Sequence, residues 1–405
     1  MRRLTRFLTC ALCALMLLPL LTPPLPSALA EEGTALTVGD RGERVLQAKK
    51  RLQALKYFGK TSLSREYTEK TAEAVRAFQR ANGLEETGVL DGLTWDVLFS
   101  DSAKKAPQPT LRPLASAAPT PVPDWPERDT EGFLAAEGEY FYENDDEGLW
   151  IYLSPDLRIV ITRRQDASVP LIWFETEIWT RGGMAFETAV TDPAHPGKKF
   201  RYPYDIAKDA GFVLGFSDDF YATRMADKET VGIIIRNGEI ISSQTNKKAG
   251  HHLPNLDMLA QYPDGRLEVY VCNEHTAEKL VAMGAVNVFS FGPILLRNGE
   301  INDLVYDYYR SIEPRQALGM IEPGHYLLLS VQGRIKTSKG TMLQRVAEMM
   351  RERGVTQALN LDGGNTMALV FRGRMLNKMA TYNKQKFVRT VTTLIGIGHT
   401  DSMAE

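Results

Sequence analysis

Short apolar runs that end in turn residues dominate the chain from residue 132 onward. Residues 233–235 and 294–296 are apolar, and they are followed by Asn-Gly at 237–238 and at 298–299. Asn-Gly between apolar runs predicts a two-residue hairpin turn, because both turn residues need a positive φ. We therefore expect the strands of this region to pair mainly as antiparallel hairpins.

A helical period interrupts this pattern near the C-terminal end. Leu343, Val346, Ala347 and Met350 recur at the spacing that places side chains on one face of a helix, and Gly354 follows as a stop. The two patterns together predict an α+β fold class, with a larger mixed domain at residues 132–400 whose strands are mostly antiparallel.

A separate helical unit is predicted at residues 36–100. Its first two helices carry apolar residues at helical spacing: Val45, Ala48, Leu52, Leu55, Ala74, Val75 and Phe78. Asn82-Gly83 is a stop signal for the second helix, and Thr94 is placed to cap a third short helix. We expect a small three-helix bundle.

Two further segments have distinctive compositions. Residues 1–30 begin with Arg2, Arg3 and Arg6, continue with an apolar run and end in Ala-Leu-Ala. This is typical of a secretory signal peptide, and an uncleaved membrane anchor is the alternative. Residues 104–131 are rich in Pro, which predicts a semi-extended linker. We expect a secreted protein whose later segments do not cross a bilayer.

Composition narrows the classes of function. The 405 residues are 43% hydrophobic and 24% charged, which is enough to form buried cores. A formal net charge of -2 disfavours a general nucleic-acid binder, which is normally basic. Cys272 is the only cysteine after residue 30, so we expect neither an internal disulfide nor a Cys-rich zinc site.

The strongest candidate for a functional site is the segment Ala-Leu-Asn-Leu-Asp-Gly-Gly-Asn-Thr at residues 358–366. An apolar strand ends there in polar residues, and Asn360 and Asp362 share one face of an extended strand. Gly363 and Gly364 allow main-chain N–H groups to approach a ligand closely. An ordinary turn has the same composition and is the alternative.

Other candidate residues are cationic. Arg315 begins a predicted strand, and Arg389 precedes the last one. Ser338 and Lys339, with Thr341, are predicted to open the helix that contains Leu343, and a helix N-terminus with a Lys and hydroxyl groups suits an anion. Ordinary capping by Thr341 is the alternative.

Two residue pairs are of the types that bind metal ions, but each pair supplies too few ligands for a site. Asp218-Asp219 follow an apolar strand, but two carboxylates are too few for a hard cation, and a solvated turn is the alternative. His251-His252 would point to opposite faces of a strand, with no third ligand spaced nearby. We therefore predict neither a metal site nor a cofactor.

Ordered motifs in the helical unit occur at residues 38–42, 45–47, 74–79 and 83–84. They resemble the peptidoglycan-binding-like domain that is found on many exported bacterial proteins. The resemblance implies peptidoglycan as a partner and attachment to the cell wall. A packing module that has lost its ligand is the alternative.

Motifs in the larger domain occur at residues 205–208, 291–293, 314–315, 338–340 and 360–364, followed by Arg389. Together they resemble the phosphodiester glycosidase family. The resemblance implies hydrolysis of a sugar that is joined through its anomeric carbon to a phosphodiester. The chain departs from the usual family pattern at residues 217–219, at Gln316 and at Val388.

The implied chemistry assigns roles to these residues. A departing phosphate group is a stabilised anion, so it needs positive charge and N–H donors more than a general acid. The predicted substrate-binding residues are Arg315, Arg389, Ser338, Lys339, Asn360, Gly363, Gly364, Asn365 and Thr366. An oxocarbenium-like sugar needs a carboxylate as nucleophile or as base, and Asp362 is predicted for this role, with Asp219 as the second choice.

The predicted function is an exported, wall-associated hydrolase that cleaves a sugar from a glycosyl-1-phosphodiester. A non-catalytic envelope protein that binds phosphoglycans is the first alternative, and a structural wall protein is the second. The predicted partners are peptidoglycan and the sugar-phosphodiester substrate.

Overall fold

A computed structural model describes residues 35–58, 63–106, 125–166, 168–219, 232–243, 256–307 and 311–404. The chain divides into two compact units at residue 110. The predictions for residues 1–30, for most of the linker and for His251-His252 lie outside the described residues. No helix within these ranges is long and apolar enough to span a membrane.

The described residues of the N-terminal unit, 35–58 and 63–106, form a bundle of three helices, as predicted. The helices are α1 (Glu43–Ala54), α2 (Glu69–Asn82) and α3 (Gly92–Phe99). Leu52, Tyr67 and Phe78 are fully buried between them, so the unit has a core of its own.

The start of α3 differs from the prediction. Asp91 is the N-cap residue, and its Oδ1 accepts a hydrogen bond from the Thr94 N–H at 2.8 Å. Thr94 instead lies inside the first turn, where its buried hydroxyl accepts from Gln79 Nε2 at 3.1 Å. A carboxylate three residues before an N–H has the reach that a cap needs, whereas Thr94 is held by the core.

The larger unit consists mainly of strands. They are β1 (Tyr140–Asn144), β2 (Leu149–Leu153), β3 (Leu157–Asp166), β4 (Leu171–Thr180), β5 (Glu187–Val190), β6 (Phe212–Phe216), β7 (Ile233–Arg236), β8 (Glu239–Ser243), β9 (Asp257–Gln261), β10 (Leu267–Tyr270), β11 (Asn287–Phe291), β12 (Ile294–Arg297), β13 (Glu300–Ile301), β14 (Arg315–Glu322), β15 (His325–Val331), β16 (Gln357–Leu361), β17 (Leu369–Phe371), β18 (Arg374–Met375), β19 (Thr381–Tyr382), β20 (Gln385–Lys386) and β21 (Thr393–His399). Its α-helices are α4 (Pro203–Ala210), α5 (Ala277–Ala282), α6 (Leu304–Asp307) and α7 (Leu343–Glu352).

These strands form three larger sheets and one two-stranded hairpin. The nine-stranded sheet has the order β1-β2-β3-β4-β15-β14-β16-β12-β13. One five-stranded sheet has the order β10-β9-β11-β7-β8, and the other has the order β18-β17-β6-β21-β5. Neighbouring strands pair antiparallel in the ladders within the described ranges, for example β14 with β15 and β16. The predicted α+β class with mostly antiparallel strands is confirmed.

The predicted hairpin turns have the expected backbone. Asn237 and Gly238 have φ values of 51° and 80°, and Asn298 and Gly299 have values of 53° and 78°. Both residues of each turn therefore lie in the left-handed region that a type I′ turn requires. The predicted helix is α7, and its apolar stripe is buried against the nine-stranded sheet.

One hydrophobic core joins the three sheets. Leu318 and Leu359 come from the nine-stranded sheet, Phe216 and Ile395 from the sheet of β6 and β21, and Phe289 from the sheet of β11, and all are buried in the same cluster. Because this core is shared, the ends of β6, β14 and β16 are held at one place.

A buried polar side chain fixes the register between two of these sheets. Gln316 is fully buried on β14, and its Oε1 accepts from the Ser217 N–H at 2.9 Å. Its Nε2 donates to Ser330 Oγ at 2.7 Å and to the Ala368 carbonyl at 3.0 Å. These hydrogen bonds set the position of the segment that follows β6.

Replacing Gln316 by Ala is expected to lower the free energy of unfolding of the larger unit by about 1–3 kcal/mol, because the Ser217 N–H and the Ala368 carbonyl lose their buried partner. Chemical denaturation followed by tryptophan fluorescence measures this change. The exposed Gln385→Ala variant is the control. Equal stability of the two variants would contradict the structural role of Gln316.

Candidate functional site

The Asp-Gly-Gly segment lies beside the end of β6. The Asp362 N–H donates to the Asp218 carbonyl at 3.3 Å, which joins the residue after β16 to the second residue after β6. Asp362 is part-exposed, whereas Asp218 is buried. Residues that are far apart in the sequence therefore form one corner, which we call the Asp-Gly-Gly corner (residues 360–366 with 217–219).

The start of β14 closes this corner from another side. A Cβ atom on Gly363 would lie 2.6 Å from the Pro314 carbonyl oxygen, so only glycine allows the two main chains to approach this closely. The Gly364 N–H donates to the same oxygen at 3.0 Å. The Gly364 amide is thus used within the protein, while the Gly363 N–H has no hydrogen-bond acceptor among the residues that the structure describes.

Asp219 lies inside the protein. Its carboxylate is fully buried, with Oδ1 2.8 Å from Arg236 Nη2 and Oδ2 accepting from the Ser290 N–H at 2.9 Å. Arg236 also donates to the Val288 carbonyl and lies over the Phe289 ring. This geometry gives Asp219 a positioning role, because both of its oxygens are bound within the protein.

Asn360 and Thr366 are buried at the two ends of the corner. Asn360 Nδ2 donates to the Gly292 carbonyl at 3.0 Å, and the Thr366 carbonyl accepts from Ser217 Oγ at 3.0 Å. Asn360 Oδ1 has no hydrogen-bond partner in the part of the chain that the structure describes. A buried amide oxygen in this state is suited to accept from a ligand hydroxyl or from water.

The predicted helix N-terminus at Ser338 is wrong. Helix α7 begins at Leu343 with Met342 as its N-cap residue. Thr341 instead forms a β-bridge with Glu313, and Gly340 has a φ of 97° against the Glu313 backbone. The chain turns there to pair with the segment before β14, so it cannot yet be helical.

Ser338 and Lys339 also differ in accessibility. Ser338 is fully buried, and its Oγ accepts from the Ile172 N–H at 2.9 Å and donates to the Gln332 carbonyl at 2.7 Å. Its hydroxyl is thus committed to the main chain of neighbouring segments. Lys339 is exposed, and its charge faces solvent.

Arg315 lies at the edge of the corner. Its Nε donates to the Thr341 carbonyl at 3.2 Å, and its Nη2 donates to the Ser311 carbonyl at 2.7 Å. Its Cα lies 3.5 Å from the position of a Cβ on Gly363. The main chain of Arg315 therefore lies next to Gly363, while its guanidinium holds the segments of Thr341 and Ser311 in place.

Arg334 is a site residue that the sequence analysis missed. Its Nη1 donates to Asn365 Oδ1 at 2.5 Å, and its Nε donates to Glu313 Oε2 at 2.6 Å. A Cβ on Gly364 would lie 3.7 Å from Nη1, so this guanidinium borders the Gly-Gly turn. Its position three residues after β15, at the edge where β16 also ends, is the signal that could have identified it.

Arg389 is brought to the same corner through its backbone. Its N–H donates to the Asn365 carbonyl at 2.8 Å, and its side chain is exposed. Asn365 is buried, and its Nδ2 donates to the Ala380 and Phe387 carbonyls, each at 3.0 Å. Asn365 thus anchors the segment that carries Arg389, instead of facing a ligand.

The predicted site residues therefore separate into two groups. Asp362, Gly363 and Arg315 are part-exposed and Arg389 and Lys339 are exposed, while Arg334, which is paired with Glu313, borders the Gly-Gly turn. The remaining predicted residues build the corner: Asp219, Ser338, Asn360, Gly364, Asn365 and Thr366. Within the described ranges, no group of three or more His, Cys, Asp or Glu side chains could hold a metal ion.

The ion pair of Asp219 leads to a prediction about stability. Replacing Asp219 by Ala is expected to cost about 3–5 kcal/mol, because Arg236 would remain buried without its carboxylate. Urea denaturation measures the loss, with the exposed Asp146→Ala variant as the control. An Asp219→Ala protein as stable as the control would show that the pair does not hold the corner together.

Two family models match the chain. Residues 210–398 match the family described as "Phosphodiester glycosidase". Residues 41–98 match the family described as "Putative peptidoglycan binding domain". The first match includes the whole Asp-Gly-Gly corner, and the second includes the three-helix bundle almost entirely.

A curated relative is the SPbeta prophage-derived uncharacterized protein YomE of Bacillus subtilis (strain 168), which is 23% identical over 257 residues. The match covers 59% of this chain and 39% of that protein, so the chain spans about two-fifths of the relative's length.

Two solved structures are similar to part of the chain. The catalytic domain of zebrafish N-acetylglucosamine-1-phosphodiester alpha-N-acetylglucosaminidase, auto-inhibited by its pro-peptide, has a TM-score of 0.46 and 18% identity, over 65% of this chain and 88% of that chain. A hypothetical protein from Synechocystis has a TM-score of 0.41 and 12% identity, over 61% of this chain and 63% of that chain.

Proposed function

We propose that this chain is an exported, wall-associated hydrolase, because residues 210–398 match the phosphodiester glycosidase family and residues 41–98 match a peptidoglycan-binding family. Its reaction is the release of a sugar from a glycosyl-1-phosphodiester. The observation that supports this most strongly is the corner itself, where the part-exposed Asp362 precedes the Gly363 N–H, which has no acceptor among the described residues, and where the Arg334 guanidinium borders the Gly-Gly turn.

The phosphate side of the reaction needs stabilisation of negative charge. When the bond between the anomeric carbon and the phosphate oxygen breaks, the electron pair leaves with the oxygen. Cationic side chains and N–H donors that are already in place stabilise this anion. The Gly363 N–H and the Arg334 guanidinium border the Gly-Gly turn, and the exposed Arg389 lies on the adjoining segment.

The sugar side of the reaction needs a carboxylate. Asp362 is part-exposed at the end of β16, and its main chain is fixed by the hydrogen bond to Asp218. It acts either as the nucleophile at the anomeric carbon or as the base that takes a proton from the attacking water. Water supplies the new hydroxyl group of the sugar in both cases. Asp219 acts by positioning, since its carboxylate is bound to Arg236 and to Ser290.

The location at the cell wall is proposed from three features of the chain. Residues 1–30 have the pattern of a signal peptide, the bundle matches a peptidoglycan-binding family, and a Pro-rich segment separates this bundle from the larger unit. A module bound to the wall would keep the hydrolase near envelope polymers that contain sugar phosphates.

Replacing Asp362 by Asn is expected to lower kcat/KM for a chromogenic sugar-1-phosphodiester by about 10²–10⁴-fold, since the amide can neither attack the sugar nor accept a proton. The protein should remain folded, because the Asp362 N–H to Asp218 bond involves only main chain. Initial-rate kinetics on the full chain measures the change.

Asp146→Asn is the control for this experiment, because it changes an exposed acid between β1 and β2 and should keep the wild-type rate. Full activity of Asp362→Asn would remove Asp362 from the mechanism. Binding of the diester by the wild type without any turnover would favour the alternative of a phosphoglycan-binding protein.

Replacing Arg334 by Gln is expected to lower kcat/KM by about 10²-fold, because one charge that faces the leaving phosphate is lost. The same assay measures this effect, and a thermal melt checks that the fold is retained. Arg345→Gln, which changes a paired arginine on α7, is the control. An unchanged rate for Arg334→Gln would place the phosphate elsewhere.

A further inference from the structure

An uninterrupted stretch without acidic residues follows the Asp-Gly-Gly corner. Between Asp362 and Asp401 the chain contains no Asp or Glu. The cationic residues of this stretch include Lys378, Lys384 and Lys386, all of which are exposed. This surface is a feature that the proposed reaction at the corner does not itself use.

These lysines lie on or beside a small hairpin, which we call the basic hairpin (residues 378–389). Strands β19 and β20 pair there with the register Thr381↔Lys386 and Tyr382↔Gln385. Asn383 and Lys384 form the turn, with φ values of 48° and 65°. The hairpin therefore has a defined backbone that presents its lysines in fixed places.

The base of the hairpin is hydrogen-bonded to the Asp-Gly-Gly corner and to the adjoining Arg334. Asn365 Nδ2 donates to the carbonyls of Ala380 and Phe387, which lie on the two sides of the hairpin. The Thr381 N–H donates to the Arg334 carbonyl at 3.1 Å, and the Arg334 guanidinium lies 5.4 Å from the centre of the Tyr382 ring. The same residues that border the Gly-Gly turn thus hold the hairpin.

The hairpin lysines make no ion pair with any residue that the structure describes. Arg372 and Arg374 in the same acid-free stretch behave differently, because they pair with Glu143 and Asp145. Carboxylates of β1 and of the turn after it thus hold these two arginines. Lys384 and Lys386 repel each other and Lys378, and an anionic partner would remove this repulsion.

The surface next to the hairpin carries the same sign. Lys336 and Lys339 are exposed on the segment after β15, and the Lys339 carbonyl accepts from the Arg334 N–H at 3.2 Å. Arg334 itself is paired with Glu313, so the cations on this side of the Asp-Gly-Gly corner that have no ion pair among the described residues are the exposed Lys336, Lys339 and Arg389 together with the hairpin lysines.

We propose that the basic hairpin binds the phosphates of a polymeric substrate beyond the bond that is cleaved, so that the enzyme acts on a polyanionic chain of repeated phosphodiesters. This inference rests on the proposed function. A strand advances about 3.3 Å per residue, so the turn at Lys384 lies on the order of 10 Å from the hairpin base. A lysine at that distance reaches a neighbouring phosphate of a chain and not the scissile one.

The test uses the full chain and long-chain inorganic polyphosphate as the probe, with pyrophosphate for comparison. Isothermal titration calorimetry at low ionic strength measures both affinities. The test variant is the triple substitution Lys378→Gln, Lys384→Gln and Lys386→Gln. The control is a triple substitution of exposed lysines elsewhere: Lys198→Gln, Lys199→Gln and Lys279→Gln.

We expect the wild type to bind polyphosphate more tightly than pyrophosphate. The hairpin variant should lose about tenfold or more in polyphosphate affinity, because each lysine that is removed no longer displaces a counterion from the polyphosphate. The control triple variant should keep the wild-type affinity. Equal polyphosphate affinity of the hairpin variant and the control would overturn the proposal.

Two further measurements separate this proposal from its alternatives. The hairpin variant should hydrolyse a small chromogenic sugar-1-phosphodiester at the wild-type rate. If the wild type binds polyphosphate but does not hydrolyse the diester, the proposed reaction is overturned and the hairpin is still supported as a polyanion site. Tight binding to phosphatidylglycerol vesicles that is lost in the hairpin variant, with no preference for polyphosphate, would overturn the polymer in favour of a membrane surface.

Discussion

The close approach of two main chains at Gly363 and Pro314 is the constraint on which the site depends. A side chain on Gly363 would collide with the Pro314 carbonyl, and the Gly364 N–H bonds to that same oxygen. This contact turns the chain directly after Asp362, so that the carboxylate stays at the end of β16. The Asp362 N–H then fastens the turn to Asp218 on the neighbouring sheet. Neither bond uses a reactive side chain, which leaves the corner rigid and its chemistry available.

Buried polar groups also hold the sheets in fixed positions relative to one another. Gln316 joins β14 to Ser217, and the Asp219–Arg236 pair joins the end of β6 to β7 and β11. Such groups are favourable only when every partner is present, so each of them specifies one arrangement of the sheets. Asn365 has a similar role nearer the surface, because its buried amide is hydrogen-bonded to both sides of the hairpin that carries the exposed lysines.

The fold could be predicted from the sequence wherever local chemistry decides it. The Asn-Gly turns at 237–238 and 298–299 and the stripe of α7 follow from backbone preference and side-chain period, and the structure confirms them. The site could be predicted only in part, because accessibility depends on distant partners. Nothing local shows that Ser338 is buried against Ile172, or that Arg334 meets Asn365. These contacts join residues that are separated by many positions, and only the packing of the sheets creates them.

The central claim is that this corner breaks the bond between the sugar carbon and the phosphate oxygen. Hydrolysis of a sugar-1-phosphodiester in water enriched in oxygen-18, followed by mass spectrometry of both products, tests this claim most directly. Attack at the sugar places the heavy oxygen on the anomeric carbon and leaves the phosphate product unlabelled, and this is the result we predict. Label in the phosphate product would mean attack at phosphorus, and it would contradict the role given to Asp362.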